Sequence, residues 1–166
     1  MSLYGMRELI DGVRGVRAGT IQVATDIPAN HYDFRPAAES RSVVETLVHI
    51  SWLWSFDRYL HQDAHLDSLD GFDFPKLIAQ SRAEEAKPRS KEEIVKMLRV
   101  EGERFAHWLE QLPPELPPER VRMPGGGSVS RFELLLGTKE HEMHHRAQLT
   151  VLERLVGVVP HFSRGM

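Results

Sequence analysis

The residues of this sequence whose type and spacing could support chemistry are histidines. The chain has nine of them and no cysteine. His141 and His145 are four positions apart, and residues at that spacing lie one turn apart on the same face of a helix. Two imidazoles at this spacing form a standard ligand pair for a divalent metal. The spacing therefore predicts two ligands of a metal site, provided that the segment is helical.

Both imidazoles are predicted to face the protein core. With about 100° between consecutive residues, His141 and His145 fall within about 40° of an apolar stripe that continues as Leu152 and Leu155. The opposite face of this helix is charged and carries Lys139, Arg146, Glu153 and Arg154.

A third histidine, His49, falls on the apolar stripe of an earlier helix, together with Leu53, Phe56 and Leu60. A buried imidazole needs partners for both ring nitrogens, so three inward-facing histidines are unfavourable unless they share a ligand. A divalent metal is the simplest shared partner, and three imidazoles leave a fourth position open for water or substrate. The alternative is a hydrogen-bonded core histidine at position 49 and a chance pair on the later helix.

Other residues near these histidines are further candidates. His144 lies at the edge of the stripe and is an alternative ligand. Glu142 completes an HExxH match, but a peptidase of that type also needs its own fold and third ligand, and the surrounding pattern is that of a helical bundle. Glu45 and Gln148, each about one turn from a candidate ligand, are the candidate catalytic residues; their ordinary roles are a helix cap and a polar helix face. The histidines predicted not to bind metal, because they fall in loops, at helix ends or on a solvated face, are His31, His61, His65, His107 and His161.

Four long amphipathic stretches must position these residues. They cover approximately residues 3–25, 42–61, 90–112 and 130–156, and a shorter helix is predicted over approximately residues 75–84. Three of the long helices begin with a capping box, in which a serine is followed three residues later by a glutamate. These pairs are Ser42 with Glu45, Ser90 with Glu93, and Ser130 with Glu133.

This arrangement predicts an all-α fold in one domain over residues 1–166, a four-helix bundle. The segments on either side of three consecutive glycines, 121–123 and 128–129, predict a small β-hairpin before the last long helix. An irregular helical domain is the alternative architecture.

Composition narrows the possible functions. The 166 residues are 41% hydrophobic and 27% charged, as in ordinary globular domains. The net charge of −3 gives no basic excess for nucleic-acid binding. Without cysteine there is no disulfide framework, thiolate zinc site or cysteine nucleophile. Arg7 and Glu8 interrupt any signal-peptide core, and no apolar run approaches the roughly 18 residues of a membrane span. We therefore expect a cytoplasmic protein.

A second apolar face on the helix over 42–61 predicts a homodimer, because only one of its faces can meet the bundle interior. This face comprises Val43, Leu47, Ile50 and Trp54, and the last long helix adds Leu135 and Leu136. Alternatively, the crossover at 57–74 or the hairpin covers the face within the monomer.

Two motifs make the sequence resemble the DinB-like (YfiT-like) metalloenzymes over nearly the whole chain. The first is DFRPAAESRSVVETLVHIS, in which Phe34-Arg35-Pro36 precedes a capped helix carrying His49; the second is PGGGSVSRFELLLGTKEHEMHHRAQLTVLERLVGVVP. The resemblance implies an up-down-down-up four-helix bundle with a divalent metal held by His49, His141 and His145. The family often has glycine where this chain has Ala147, and alanine is still small enough for the same helix packing.

The resemblance also implies a small-molecule substrate, since relatives include transferases and isomerases that use a low-molecular-weight thiol such as bacillithiol or mycothiol. A divalent metal with an open position can bind a thiol and lower its pKa. Because the chain has no cysteine, the reacting thiol must come from a cosubstrate. We therefore expect a thiol S-transferase; a metal-dependent hydrolase and a non-catalytic metal-binding stress protein are the alternatives. Three imidazoles suit Zn, Ni, Cu or Fe, and the sequence does not choose among them.

Overall fold

Helices and one small hairpin form the part of the chain that the computed structural model describes, residues 4–165. In chain order the elements are α1 (Met6–Asp26), a 3-10 turn (Ala29–His31), α2 (Val43–Trp52), α3 (Trp54–Arg58), α4 (Phe74–Glu85), α5 (Lys91–Glu110), β1 (Arg120–Arg122), β2 (Ser128–Ser130), α6 (Arg131–Leu155) and a second 3-10 turn (His161–Ser163). The predicted all-α class with a hairpin is confirmed. The predicted start of the first helix, Leu3, lies outside the described residues. Among residues 4–165, none of the helices has the length and apolar character that a membrane span requires.

All three predicted capping boxes form. At the start of α2, the Glu45 N–H donates to Ser42 Oγ, and the Ser42 N–H donates to the Glu45 carboxylate at 2.9 Å. The same reciprocal pairs begin α5 and α6. These boxes satisfy backbone N–H groups that the first turn of a helix leaves unpaired, so they fix where each helix begins.

The second predicted helix is divided in the structure. Helix α2 ends at Trp52, α3 follows, and a wider π-helical turn covers Tyr59–Asp63. Leu53 keeps helical backbone angles (φ −54°, ψ −42°), so α3 continues the path of α2. The wider turn changes the direction in which the following side chains point, and it places His61 in the protein interior.

The predicted hairpin forms, and it pairs Val121 with Val129. The turn residues Gly125, Gly126 and Gly127 all have positive φ angles, between 77° and 106°, which glycine adopts without a steric penalty. Val121 is fully buried and packs with Leu60 under the crossover between α3 and α4. Because α6 begins directly after β2, the hairpin determines where the histidine-bearing helix starts.

The helices are arranged so that α2 and α6 are neighbours. Helix α1 packs against α5 and α6, and helix α2 packs against α4, α5 and α6. Consecutive long helices α1 and α2 are therefore diagonal to each other in the bundle. This arrangement places the face of α2 that carries His49 beside the face of α6 that carries the other two candidate ligands.

The second apolar face of α2 is covered within the chain, by α5 rather than by the crossover or the hairpin. Val43, Leu47 and Ile50 are buried in the same cluster as residues of α1 and α5. Trp54 stacks on Phe105 of α5, with ring centroids 6.1 Å apart. The homodimer prediction thus loses the free face on which it rested.

Two residues of α6 lie in environments other than those predicted. Leu155, the last residue of the helix, is exposed, and Glu153 is fully buried. The C-terminal segment folds back over this end of α6, and the Val158 N–H donates to the backbone oxygen of Glu153 at 2.8 Å. Burial raises the pKa of the Glu153 carboxyl to about 7, and the neighbouring Asp26 adds to the shift. The periodicity of α6 could not predict that Glu153 is buried, because the segment that covers it comes later in the chain.

Asp57 on α3 is a buried acid with only one hydrogen-bond partner. Its Oδ1 accepts a hydrogen bond from Thr138 Oγ1 at 2.9 Å, and its Oδ2 has no partner within the described residues. Burial raises the pKa of Asp57 from 3.8 to about 8, although the Thr138 hydrogen bond acts in the opposite direction. The folded protein therefore favours the protonated acid.

We expect Asp57→Asn to stabilise the protein at pH 7 by about 1–2 kcal/mol. Because folding raises the pKa of Asp57, protonated Asp57 does not lower the free energy of unfolding at a pH below the unfolded value of 3.8. The protein loses stability as the pH rises from there through the folded value of about 8. Asparagine stays neutral and avoids this loss, but its unpaired amide N–H offsets part of the gain. Urea unfolding between pH 4 and 9 should show a difference that grows with pH and levels off above 8. A difference independent of pH would contradict this explanation.

Candidate metal centre

Helices α2 and α6 bring His49, His141 and His145 together. The Nε2 atom of His141 lies 3.0 Å from Nε2 of His49 and 2.9 Å from Nε2 of His145. One ring nitrogen from each residue lies within 4.8 Å of the other two. His49 and His145 are buried, whereas His141 is partly exposed. The structure thus brings together the three histidines that the sequence singles out.

Hydrogen bonds at the far side of two rings define which nitrogen carries the proton. His49 Nδ1 lies 3.0 Å from the Glu85 Oε1 carboxylate oxygen, and His145 Nδ1 lies 2.8 Å from Gln148 Oε1. These oxygens accept hydrogen bonds, so each Nδ1 is the donor, and a ring that carries one proton then has a bare lone pair at Nε2. Both lone pairs point toward His141.

The converging nitrogens fit a divalent metal. Burial lowers the pKa of His141 and of His145 to about 4, and the neighbouring histidines add to the shift, so both rings are neutral at pH 7. Neutral imidazoles are the form that binds metal. With two Nε2 separations of 2.9 and 3.0 Å and all three ring nitrogens within 4.8 Å of one another, the three rings are close enough to bind one ion together.

A carboxylate and a serine from α4 support His49, and the sequence analysis missed both. Glu85 is buried, and its Oε1 accepts hydrogen bonds from His49 Nδ1 and from Ser81 Oγ (2.8 Å), while its Oε2 accepts one from Arg41 Nε (2.9 Å). Burial alone would raise the pKa of Glu85, but the hydrogen bonds from His49, Arg41 and Ser81 outweigh it and bring the pKa to about 2. The group behind His49 is therefore a permanently charged carboxylate. A carboxylate in this position orients a metal-binding histidine and makes it a better ligand.

We expect Glu85→Gln to weaken metal binding by about 10–100-fold, the usual effect of losing a carboxylate behind a ligating histidine. Glutamine has nearly the same shape but removes the charge that holds the His49 proton at Nδ1. Competition with a chelating dye measures the change. The matched control is Glu84→Gln, because the Glu84 carboxylate pairs with Lys87 and Arg89 instead. Equal metal affinity in the two variants would show that Glu85 has only a packing role.

Glu142 points away from the histidine cluster. Its carboxylate pairs with Arg17 of α1 (Nε to Oε1, 2.8 Å) and accepts a hydrogen bond from Thr20 Oγ1 at 2.8 Å. The glutamate of an HExxH peptidase must instead reach a water molecule beside the metal. The HExxH spacing in this chain is therefore part of a structural ion pair, which agrees with the sequence argument against a peptidase.

The remaining candidates lie around the cluster. Gln148 contacts His145 directly and also donates to His144 Nε2 at 3.0 Å, so His144 is an exposed neighbour outside the three-histidine group. The Glu45 carboxylate is paired with Arg35 and with the Ser42 N–H of the helix cap. The hydrogen bond from Arg35 is the main cause that lowers the pKa of Glu45, which makes this carboxylate a weaker base.

His61 is buried, contrary to the prediction that placed it at a helix end or on a solvated face. Its Nδ1 accepts a hydrogen bond from Arg131 Nη1 at 3.2 Å, and its ring stacks on Trp108. Burial is the main cause that lowers its pKa to about 4, followed by the charge of Arg131. The π-helical turn at Tyr59–Asp63, which the sequence does not signal, produces this inward orientation. The other four histidines predicted not to be ligands also lie outside the cluster: His31, His65, His107 and His161.

A cleft of about 650 Å³ lies along the groove between α2–α3 and α4, and none of the three histidines lines it. Trp52 lines it one turn after His49, and Leu77 lines it one turn before Ser81. Its lining also includes the aromatic side chains of Phe56, Tyr59 and Phe72. The cleft has the size of a small-molecule site.

Sequence comparison identifies one family. A family model of the DinB superfamily matches residues 13–149, which is more than half of the chain. Among curated proteins, no sequence match was found.

Three solved structures share the fold. YjoA, a DinB-like protein from Bacillus subtilis, is 21% identical, with a TM-score of 0.65 and coverage of 90% of this chain and 92% of that one. YfiT from Bacillus subtilis, described as a probable metal-dependent hydrolase with an unusual four-helix bundle topology, is 17% identical, with a TM-score of 0.71 and coverage of 95% and 91%. A histidine-to-alanine mutant of a mycothiol-dependent maleylpyruvate isomerase is 10% identical, with a TM-score of 0.68 and coverage of 97% of this chain and 64% of that one.

Proposed function

The chain belongs to the DinB superfamily, and from this premise we propose that it is a metal-dependent enzyme acting on a small molecule. His49, His141 and His145 would hold a divalent transition metal such as Zn, Ni or Fe. The main support for this proposal is that their Nε2 atoms converge. The Nδ1 atoms of His49 and His145 face away from the cluster and are hydrogen-bonded to Glu85 and Gln148. Without a metal, a proton on His141 Nε2 could satisfy only one of the two facing Nε2 lone pairs at a time.

A divalent ion with one open position would lower the pKa of a thiol or a water molecule that enters it. The residues of the chain define the rest of the site. Glu85 and Gln148 are positioning residues, which hold the rings of His49 and His145 by their Nδ1 atoms. Glu45 fits its capping and ion-pair role better than a role in proton transfer, because its oxygens are already paired with Arg35 and the helix cap.

The reaction that we favour is thiol S-transfer with a low-molecular-weight thiol as cosubstrate. The chain has no cysteine, so the sulfur nucleophile must be supplied from outside. The fold shared with a mycothiol-dependent isomerase supports this class of cosubstrate. The apolar cleft beside α4 has room for the electrophile.

A metal-dependent hydrolase is the second candidate, supported by the description of YfiT, which shares this fold. In that case water takes the place of the thiol in the same site. If the protein is not an enzyme, the alternative is a non-catalytic metal-binding protein.

We expect metal-loaded protein to accelerate the conjugation of a small thiol with monochlorobimane, followed by fluorescence. The metal-free protein is the control, because it retains the fold and the cleft but lacks the group that activates the thiol. No acceleration with any of several thiols at full metal occupancy, combined with metal-dependent hydrolysis of ester substrates, would favour the hydrolase. Absence of both activities would favour the binding protein.

A further inference from the structure

Arg41 is fixed to the carboxylate behind the histidine cluster. Its Nε–H donates to Glu85 Oε2 at 2.9 Å. The Glu85 side chain is 2% exposed, and hydrogen bonds from His49 and Ser81 hold its other oxygen. One edge of the guanidinium group is therefore anchored to a rigid, buried acceptor.

The outer edge of the same guanidinium group is unused. Within residues 4–165, the Nη1 and Nη2 atoms of Arg41 make no hydrogen bond, while the side chain is 23% exposed and so within reach of a ligand. Two parallel N–H groups at a fixed spacing match the two oxygens of a carboxylate. An anchored guanidinium group also loses little conformational entropy when it binds, which favours affinity.

Arg41 lies close to the His49 ring. Arg41 and His49 bind the two different oxygens of one carboxylate, so a single acidic group separates them. Arg41 therefore lies one side-chain group away from the cluster, on the Nδ1 side of the His49 ring.

The surrounding charge favours an anion. Arg82 places a second guanidinium nitrogen 3.7 Å from Glu85 Oε2, so two cations share one carboxylate. Glu45 does not neutralise the excess, because it is paired with Arg35. Arg41 and Arg82 together with Glu85 give this edge of the site a net charge of +1 before any metal is bound, and a divalent ion would raise it further.

We propose that Arg41 binds a carboxylate group of the substrate or cosubstrate through its two Nη atoms, while another part of that molecule reaches the three-histidine cluster. This proposal rests on the proposed function for the metal, and it adds the chemical class of the ligand. A neutral molecule of the same size would bind without this contact.

The test compares two small thiols on the cobalt-loaded protein, using the sulfur-to-cobalt absorption band to measure affinity. 3-Mercaptopropionate carries a carboxylate, and 2-mercaptoethanol does not. We expect Arg41→Gln to weaken binding of 3-mercaptopropionate about tenfold, the size of one lost charge-assisted contact, and to leave 2-mercaptoethanol unchanged. Arg41→Lys, which keeps the charge but loses the two-pronged geometry, should give an intermediate loss. Arg104→Gln, at an exposed arginine of α5 that pairs with Glu101, is the matched control and should change neither affinity.

Equal weakening of both thiols by Arg41→Gln would overturn the proposal, because Arg41 would then act only by holding Glu85. If neither thiol produces the absorption band, the proposed thiol reaction is contradicted. A second measurement then tests whether Arg41 binds a carboxylate. Acetate is titrated into the metal-free protein while the Arg41 Nε–H resonance is followed by nuclear magnetic resonance. A saturable shift that Arg104→Gln preserves supports the anion site, and no shift overturns it.

Discussion

Replacing His145 with alanine is expected to abolish stoichiometric metal binding and to leave the helical circular dichroism nearly unchanged. The imidazole of His145 supplies one of the three converging Nε2 atoms, and a site with two remaining histidine ligands binds weakly. We expect the metal affinity to fall by more than about a hundredfold, beyond the usual effect of losing only a supporting hydrogen bond. The helical bundle folds around three apolar clusters, so we expect it to fold without the metal.

The matched control is His144→Ala, one residue away on the same helix. His144 is exposed and contacts Gln148, but it is not part of the three-histidine group. This variant should retain one metal per chain by elemental analysis, with N–metal distances of about 2.0–2.2 Å by X-ray absorption. Tight, stoichiometric binding in His145→Ala, or loss of binding in His144→Ala, would move the site to a different set of ligands.

The three-histidine group could be predicted from the sequence because periodicity on two amphipathic helices is a local property. His49 and the pair His141 and His145 each fall on the core side of their own helix, whatever the rest of the chain does. Their meeting requires α2 and α6 to be adjacent, and only the packing of the bundle decides that. Helical periodicity therefore predicts which histidines face the core, and only the tertiary structure shows how close together they lie.

Glu85 and Ser81 could not be predicted because they belong to a short helix with a weakly amphipathic sequence. Nothing in residues 74–85 indicates which neighbour α4 packs against, and the crossover before it has no regular pattern. The contact with His49 arises only when α4 lies along α2. Arg41, just before the cap of α2, joins the site through the same carboxylate and shares this dependence.

The second apolar face of α2 shows what periodicity alone cannot predict. Periodicity correctly finds that Val43, Leu47 and Ile50 need to be covered, but it does not identify the covering element. In the structure α2 is enclosed by α4, α5 and α6, so a helix with two apolar faces indicates a central position in the bundle. The predicted free face is therefore wrong because α2 is covered within the chain, and the homodimer stays an untested prediction without that face.

Replacing Glu142 with alanine is expected to destabilise the protein by about 3–5 kcal/mol, the usual effect of removing one partner of a buried ion pair. Arg17 and Glu142 are both nearly inaccessible to solvent, and Arg17 also donates to the backbone oxygen of Leu98 at 2.9 Å. Gly102 leaves the space for this side chain, since a Cβ atom there would lie 2.6 Å from Arg17 Cγ. Without Glu142, the guanidinium group is held in an apolar interior with no counter-charge.

Urea unfolding measures the loss, and two further variants separate its causes. Glu140→Ala, at an exposed position on the same helix, should change stability by less than about 0.5 kcal/mol. The double variant Arg17→Met with Glu142→Met should recover most of the stability, because removing both charges leaves no unpaired ion. Metal stoichiometry should stay at one per chain in all three variants, since Glu142 faces α1 and not the histidines. If Glu142→Ala kept its stability but lost only its catalytic activity, Glu142 would instead act at the metal, as in an HExxH enzyme.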